Sequence, residues 1–205
     1  MASWFEVFPA LRALTIASDD IRFHDAREWD HNYRYQRFGR DFSGEALATF
    51  VADVLGPHIP VDRSGALVIN VRRGDYFADA AAEARFGFDQ VGYIRDALGR
   101  VSGASRILVV SDDDVWCRAE LGGDLTAAAA EVDYAPPDPQ ANFLAVAGAR
   151  KIIGTNSTFS YWGAYVACVL QGDAEIVMPQ FHARTSVGTD AYQLDPRWIA
   201  IEGYA

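Results

Sequence analysis

The chain has 205 residues, of which half are hydrophobic, and its formal net charge is −10 at pH 7. This length and composition allow one or two small domains with a packed core, and they argue against a disordered chain. The negative charge argues against a nucleic-acid partner, because an acidic surface repels a phosphate backbone, whereas binding of a single nucleotide depends on local charge.

The sequence predicts neither a membrane span nor a targeting signal. No run approaches the roughly 20 apolar residues of a membrane span, and the N-terminus lacks a basic segment followed by an apolar one. Cys117 and Cys168 are far apart and fit neither a metal knuckle nor a disulfide framework. We therefore expect a reduced protein in the cytoplasm or at the inner face of the membrane.

The first 65 residues are predicted to form a small, mainly helical region. Met1–Asp41 mixes aromatic and charged residues without a sustained period, which predicts irregular structure with short helices. Ser43–Leu55 has apolar residues on one side and begins with a residue typical of helix caps, so it predicts a helix. Gly56 and Pro57 indicate the end of that helix.

Residues 66–205 alternate between strand-like and helical patterns. The predicted strands are Leu67–Val71, Arg106–Ser111, Glu131–Tyr134, Lys151–Thr155 and Glu175–Met178. The predicted helices are Gln90–Arg100, Asp113–Leu121, Pro139–Ala149 and Phe159–Leu170, and Ala127–Ala130 fits either a helix end or a loop. This alternation predicts an α/β fold, a Rossmann-like parallel sheet with helices on both faces.

Two adjacent arginines follow the first predicted strand. Ligands of open α/β sheets bind outside the carboxyl ends of the strands, where Arg72 and Arg73 are expected to lie. Two guanidinium groups suit a diphosphate, because each offers a planar fork of donors that matches phosphate oxygens. Gly74 permits a sharp turn close to a ligand. The alternative is a solvated surface turn with two incidental arginines.

Two further segments fit the same nucleotide site. Asn70–Tyr76 reads NVRRGDY, Ser111–Trp116 reads SDDDVW, and Asn156–Ala164 reads NSTFSYWGA. In order and approximate spacing they resemble the three signature blocks of the alpha-1,2-fucosyltransferases of glycosyltransferase family 11, which typically read H-x-R-R-G-D-Y, F-S-D-D-x-x-W and N-S-S-F-S-W-W-G-A. Three ordered blocks are far more specific than any one of them. The resemblance extends from about Val68 to the C-terminus.

The resemblance implies an enzyme that transfers L-fucose from GDP-fucose to a galactose-type hydroxyl with inversion, without a metal ion or a further cofactor. It implies that residues 66–205 are the C-terminal, donor-binding half of a GT-B-type glycosyltransferase. Residues 1–65 would then supply a reduced acceptor side for a galactose-terminated glycan. By resemblance Arg72 and Arg73 are catalytic, because fixed guanidinium groups stabilise the charge that grows on the departing GDP.

The donor site that the resemblance implies draws on all three blocks. Its residues are Asn70, Arg72, Arg73, Asp75, Tyr76, Ser111, Asp112, Asp113, Asn156, Ser157, Thr158, Phe159 and Ser160. Asp112 is expected to accept hydrogen bonds from the N1–H and N2–H2 edge of guanine. The aspartates could instead cap a helix or, as a weaker alternative, hold a metal ion, and the hydroxyl residues could form a plain helix cap.

Two departures from the family pattern keep other function classes open. Asn70 takes the place of the family's His and cannot titrate near neutral pH, and the family's Gly-rich G-G-L-G-N-Q segment has no counterpart. A non-catalytic GDP-sugar-binding protein and a nucleotide hydrolase that uses the aspartates are therefore alternatives. Inversion requires a base near the acceptor hydroxyl, and no motif selects one among Asp75, Asp79 and Glu83. Phe159, Tyr161, Trp162 and Tyr165 have the helical spacing of core residues.

Overall fold

A parallel sheet forms the centre of the structure. The computed structural model describes residues 3–15, 38–39, 42–185 and 188–204. The strands are β1 (Leu67–Val71), β2 (Arg106–Ser111), β3 (Glu131–Tyr134), β4 (Lys151–Gly154), β5 (Glu175–Pro179), β6 (Ala183–Thr185), β7 (Gly188–Asp190) and β8 (Ile199–Ile201). Six of them form one parallel sheet in the order β3-β2-β1-β4-β5-β8, and β6 and β7 form a separate antiparallel pair.

This strand order creates a crevice at the centre of the sheet. β1 lies between β2 and β4, and the register pairs Val71 with Ser111 and Asn70 with Gly154. The chain proceeds from β1 to β2 and β3 on one side and then crosses to β4 on the other. The carboxyl ends of β1 and β4 therefore flank the topological switch point, where ligands of such sheets bind.

Helices connect the strands. They are α1 (Trp4–Val7), α2 (Gly44–Phe50, continued as a π-helical turn over Val51–Leu55), α3 (Ala80–Phe86), α4 (Gln90–Leu98), α5 (Asp114–Trp116, continued as a π-helical turn over Cys117–Leu121), α6 (Gly122–Ala128), α7 (Pro139–Gly148) and α8 (Thr158–Gln171). Short 3-10 helices cover Pro9–Leu14, Gly56–His58 and Gly74–Tyr76. Side-chain caps fix the start of α2, α3, α4, α5, α7 and α8, because they accept hydrogen bonds from otherwise unpaired first-turn amides.

The sheet is packed on both faces. Successive side chains of a strand point to opposite faces, so Val68 and Ile152 join one core, with apolar residues of α2, α7 and α8. Ile69 and Ile153 join the other core, with apolar residues of α4, α5 and α6. Burial on both faces explains why these strands read as continuous apolar runs.

The predicted α/β fold, with a parallel sheet between two helical layers, is confirmed. β1, β2 and β3 have the predicted bounds, whereas β4 ends one residue earlier and β5 one residue later than predicted. The helical reading of Ala127 is right, since α6 ends at Ala128. The sequence did not predict α3, the first part of α6, or the short strands β6, β7 and β8.

In the N-terminal region the predicted helix is confirmed, and residues 1–2, 16–37 and 40–41 lie outside the described residues. Ser43 caps α2 by accepting a hydrogen bond from the Ala46 amide at 3.1 Å. Phe8 and Leu47 belong to the same core as α7 and α8, and a domain boundary at residues 65/66 stays a prediction. None of the helices in the described ranges is long and apolar enough to cross a membrane.

Candidate functional site

The segments that follow β1, β2, β3 and β4 enclose a cavity of about 160 Å³ at the carboxyl end of the sheet. The predicted site residues that line it are Asn70, Arg72, Ser111, Asp112, Ser157 and Phe159. Members of all three sequence blocks therefore meet at the switch point. Sites for drug-sized molecules usually measure about 300–1,000 Å³, so this cavity has room for part of a nucleotide but not for a whole one.

The backbone that leaves β1 is fixed by Asp112 of the second block and by Thr155, which directly precedes the third block. The Arg72 amide donates to Oγ1 of Thr155 at 2.9 Å, and the Arg73 amide donates to Oδ1 of Asp112 at 2.9 Å. Gly74 follows at a place where an added Cβ would lie 2.4 Å from Oδ2 of Asp112. The turn thus requires a glycine because the Asp112 carboxylate occupies the space of a side chain.

Arg72 projects into the cavity between two carboxylates. Its Nε and Nη2 donate to Oδ1 of Asp75 at 3.1 and 2.8 Å, and Nη1 lies 2.8 Å from Oδ2 of Asp112. The guanidinium carbon also lies 5.9 Å from the centre of the Tyr76 ring, which stacks on Phe86. The Arg72 side chain keeps 38% of its surface exposed, so it is oriented yet accessible.

Arg73 does not line this cavity and lies partly buried between two aromatic rings. Its guanidinium carbon lies 3.9 Å from the ring centres of both Phe77 and Trp116. Burial lowers the pKa of Arg73, and the carboxylate of Asp113, 3.8 Å from Nε, opposes that shift. The two predicted catalytic arginines therefore lie in different environments, as the alternation of side chains at a strand end allows.

The three aspartates of the second block are not gathered into one cluster. Both oxygens of Asp112 contact the arginine turn. Asp113 caps α5 by accepting from the Trp116 amide at 3.0 Å, and Asp114 pairs with Arg118 at 3.3 Å. Among the described residues, no group of three or more acidic, histidine or cysteine side chains is arranged to hold a metal ion. The capping alternative holds for Asp113.

The third block turns from β4 into α8. Ser157 caps α8 by accepting from the Phe159 amide at 3.1 Å, and it lines the cavity. Asn156 is fully buried, with its Nδ2 donating to the carbonyl oxygens of Phe86 and His182 at 2.8 Å each. Thr158 lies on the exposed side of the turn and outside the cavity.

Asn70 and Ser160 form a buried polar pair at the floor of the cavity. Oδ1 of Asn70 accepts from the Ser160 hydroxyl at 2.6 Å, and its Nδ2 donates to the Val110 carbonyl at 3.2 Å. Asn70 is 5% exposed and Ser160 is fully buried. The residue that replaces the family's His thus joins β1 to β2 and α8 through its amide.

The candidate bases differ in their surroundings. Asp75 pairs with Arg72, and Asp79 caps α3 by accepting from the amides of Ala81 and Ala82. Glu83 lies on the exposed part of α3. None of the three lines the 160 Å³ cavity. The position of the cavity therefore selects none of the three as the base.

Five residues that line the cavity were not predicted as site residues. Val71 and Val110 lie at the ends of β1 and β2, and Pro137, Pro139 and Asn142 come from the segment that follows β3 and begins α7. The sequence signal of the last three is the proline-rich PPDP stretch at the carboxyl end of a strand, since every such end in a parallel sheet faces the ligand edge. The Asn142 side chain donates to the Pro136 carbonyl at 3.1 Å, which holds this wall in place.

A second, apolar cavity of about 380 Å³ adjoins the first and shares Phe159 with it. Its other walls include Trp4, Phe143 and Trp162. Tyr161 and Tyr165 are each 1% exposed, in agreement with their predicted core role, whereas Phe159 and Trp162 are partly buried.

Comparison with known proteins identifies the family. The family model described as Glycosyl transferase family 11 matches residues 23–202. No curated protein and no solved structure matches the chain significantly. The matched span includes all three sequence blocks and every residue that lines the 160 Å³ cavity. The chain therefore belongs to glycosyltransferase family 11, a family of fucosyltransferases.

Proposed function

We propose that the protein transfers L-fucose from GDP-fucose to a galactose-type hydroxyl of a glycan and forms an alpha-1,2 linkage with inversion. Family membership implies a nucleotide-sugar donor and a glycan acceptor. The finer assignment rests on the resemblance of the three blocks to alpha-1,2 enzymes. The observation that carries it is the position of Arg72, whose accessible guanidinium reaches a cavity lined by members of all three blocks.

Arg72 is the group that stabilises the leaving diphosphate. Negative charge grows on GDP as the bond to fucose breaks, and a fixed cation stabilises that charge more than it stabilises the bound donor. Asp75 and Asp112 already hold the guanidinium in one orientation, so its remaining N–H groups need little reorganisation to meet phosphate oxygens. Ser111 and Ser157 line the same cavity, and we expect their hydroxyls to contact the donor.

Arg72 also makes the proposed reaction independent of a metal ion. A guanidinium supplies the leaving-group stabilisation that a divalent ion supplies in other transferases. The separate engagement of Asp112, Asp113 and Asp114 favours this mechanism over a hydrolase that would use them together. The reaction needs no cofactor, because GDP-fucose is its donor substrate, and residues 66–205 act as the donor-binding half of a GT-B arrangement.

A second candidate is a GDP-sugar-binding protein without transfer. Asn70 favours it, because both ends of its amide are engaged and the residue cannot take up a proton as the family's His can. The donor cavity would then bind GDP-fucose as a signal or as a subunit's ligand. Both candidate functions require binding of GDP-fucose, but only the first requires transfer of fucose and release of GDP.

Release of GDP tests the proposal directly. The protein is incubated with GDP-fucose in EDTA, with and without a galactose-terminated oligosaccharide, and GDP-mannose serves as the control donor. We expect GDP to appear in EDTA and to appear faster with the acceptor. Strict dependence on Mg²⁺ or Mn²⁺ would contradict the metal-independent mechanism, and binding of GDP-fucose without any release would favour the second candidate.

A further inference from the structure

Gln90 lies next to the arginine turn but outside all three sequence blocks. It is the first residue of α4 and is 2% exposed. One turn later Tyr93, which is fully buried, places its hydroxyl 2.8 Å from the Gly154 carbonyl and 3.2 Å from the Val177 carbonyl. The start of α4 is thereby held against β4 and β5, and the Gln90 side chain extends from a fixed base.

The Gln90 carboxamide contacts both arginines. Its Nε2 donates to the Arg72 carbonyl at 2.8 Å, and its Oε1 accepts from Nη1 of Arg73 at 3.3 Å. An amide suits this place because it offers a donor and an acceptor on one rigid plane. A carboxylate offers no donor for the carbonyl, and an aliphatic side chain offers neither group.

These contacts complete the attachment of the backbone around Arg72. The Arg72 amide is held by Thr155, its carbonyl by Gln90, and the next amide by Asp112. The peptide groups on both sides of the Arg72 Cα are thus fixed, so the direction in which the side chain leaves the backbone is fixed as well. Arg73, held between its two rings, anchors the far side of the same peptide.

We infer that Gln90 is a positioning residue that aims the Arg72 guanidinium at the donor diphosphate. This inference rests on the proposed function of Arg72. Gln90 does not line the donor cavity, so its effect on a ligand passes through the Arg72–Arg73 peptide. A catalytic group displaced by about an ångström can lose on the order of a hundredfold in rate, which is why such a support matters.

Two variants of Gln90 and one matched control test this inference by calorimetric titration with GDP. Gln90→Leu removes both contacts, and Gln90→Glu keeps the acceptor for Arg73 but removes the donor to the Arg72 carbonyl. We expect both to weaken GDP binding about tenfold. The control is Gln171→Leu, because Nε2 of Gln171 donates to the Gly148 carbonyl at 2.7 Å at the opposite edge of the sheet. It should bind GDP as the unmodified protein does.

The same titrations in an Arg72→Ala background separate positioning from a general structural role. If Gln90 acts through Arg72, Gln90→Glu should change GDP affinity by less than about twofold once Arg72 is absent. An equal loss in both backgrounds would overturn the inference. If Gln90→Leu does not fold, Gln90→Glu alone decides the test. Its new carboxylate can pair with the Arg73 guanidinium, so the contact that holds Arg73 is kept.

The outcomes also separate this inference from the proposed function. Unchanged GDP affinity in Arg72→Ala would remove the phosphate role of Arg72 and with it the proposed function of the site. A loss in Arg72→Ala together with unchanged affinity in both Gln90 variants would overturn only the positioning role of Gln90. A tenfold loss in the Gln90 variants that vanishes in the Arg72→Ala background supports both.

Discussion

The two edges of the sheet are stabilised by different kinds of polar contact. At the carboxyl edge, buried side chains hold backbone groups: Thr155 is fully buried and Gln90 is 2% exposed. At the amino edge, β2 and β3 carry an exposed ion pair between Arg106 and Asp133 at 2.7 Å, where 52% and 50% of the side-chain surfaces stay exposed. The same strands thus end in a rigid polar network on one side and begin in solvated ion pairs on the other.

The difference indicates which edge of the sheet binds the ligand. Burying a polar group lowers the stability of the fold unless the group makes a hydrogen bond. The many buried polar groups at the carboxyl edge are therefore better explained by a role in binding than by stability. At the carboxyl edge the gain is the fixed direction of Arg72. Exposed ion pairs contribute only about 0–1 kcal/mol each, and they leave their side chains free to move. We therefore expect substitutions at the carboxyl edge to change GDP affinity strongly, and substitutions at the amino edge to change the unfolding free energy only slightly.

The largest expected effect comes from Arg72. Arg72→Ala should weaken GDP binding roughly ten- to a hundredfold, because it removes a charge-assisted phosphate contact. Arg72→Lys should restore little, since a point charge cannot reproduce the planar fork. Calorimetric titration measures both, with Arg106→Ala as the control at the amino edge. Unchanged GDP affinity in a folded Arg72→Ala protein would exclude the phosphate role.

Gly74→Ala should have the next largest effect. The new Cβ would lie 2.4 Å from Oδ2 of Asp112, whose other oxygen is held by the Arg73 amide. We expect the carboxylate to be displaced, Arg72 to lose its orientation and GDP affinity to fall about tenfold. The control is Gly123→Ala, in α6, where nothing lies within 4 Å of the added atom. GDP affinity that is the same in both variants would show that the close approach is unimportant for binding.

A smaller effect is expected for Asp112→Asn. Both Asp112 oxygens contact the arginine turn, so the substitution should weaken GDP and free pyrophosphate by the same few-fold factor. The guanine contact that the family resemblance implies predicts another result, a loss for GDP that greatly exceeds the loss for pyrophosphate. Parallel titrations with the two ligands distinguish a role through Arg72 from direct contact with the base.

The smallest effect is expected at the amino edge and depends on pH. Hydrogen bonds from the Ser102 hydroxyl and amide lower the pKa of Glu175 from its ordinary value of 4.5. The folded state therefore gains stability from Glu175 above about pH 4.5 and loses it as the pH falls further. Glu175→Gln should lower the unfolding free energy at neutral pH, and the difference from the unmodified protein should vanish at an acidic pH well below the folded-state pKa of Glu175. Urea unfolding measures this, and a constant difference at both pH values would contradict it.

The core strands could be predicted because burial on both faces leaves a strong local pattern. Leu67–Val71 is buried throughout, and its apolar run has the predicted bounds. Ile199–Ile201 is short, and Ile199 is 40% exposed, so no such pattern marks this edge strand. The Gly122-Gly123 pair begins α6, whose start the sequence did not predict, and Leu125 of this helix is fully buried in the core.

The sequence predicted where the site lies, but it did not predict the role of each site residue. The position of Arg72 beside Ser111 follows from the geometry of a parallel sheet, in which carboxyl ends share one edge. Arg72 and Arg73 differ in the direction of their side chains because Arg73 contacts residues far along the chain, such as Trp116 and Gln90. Neither Trp116 nor Gln90 carries a local signal of that contact, because a single glutamine or tryptophan fits many environments.

The central place of β1 also has a consequence for the order in which the protein is made. Asn70 contacts Val110, 40 residues later, and Arg72 contacts Thr155, 83 residues later. At about 5–20 residues per second, β1 leaves the ribosome roughly 4 to 17 seconds before its second neighbour exists. An apolar strand with unpaired edges is a template for wrong pairing throughout that interval. The segment that ends in the arginine pair is thus the earliest strand of the sheet to emerge and is enclosed only after most of the chain has followed.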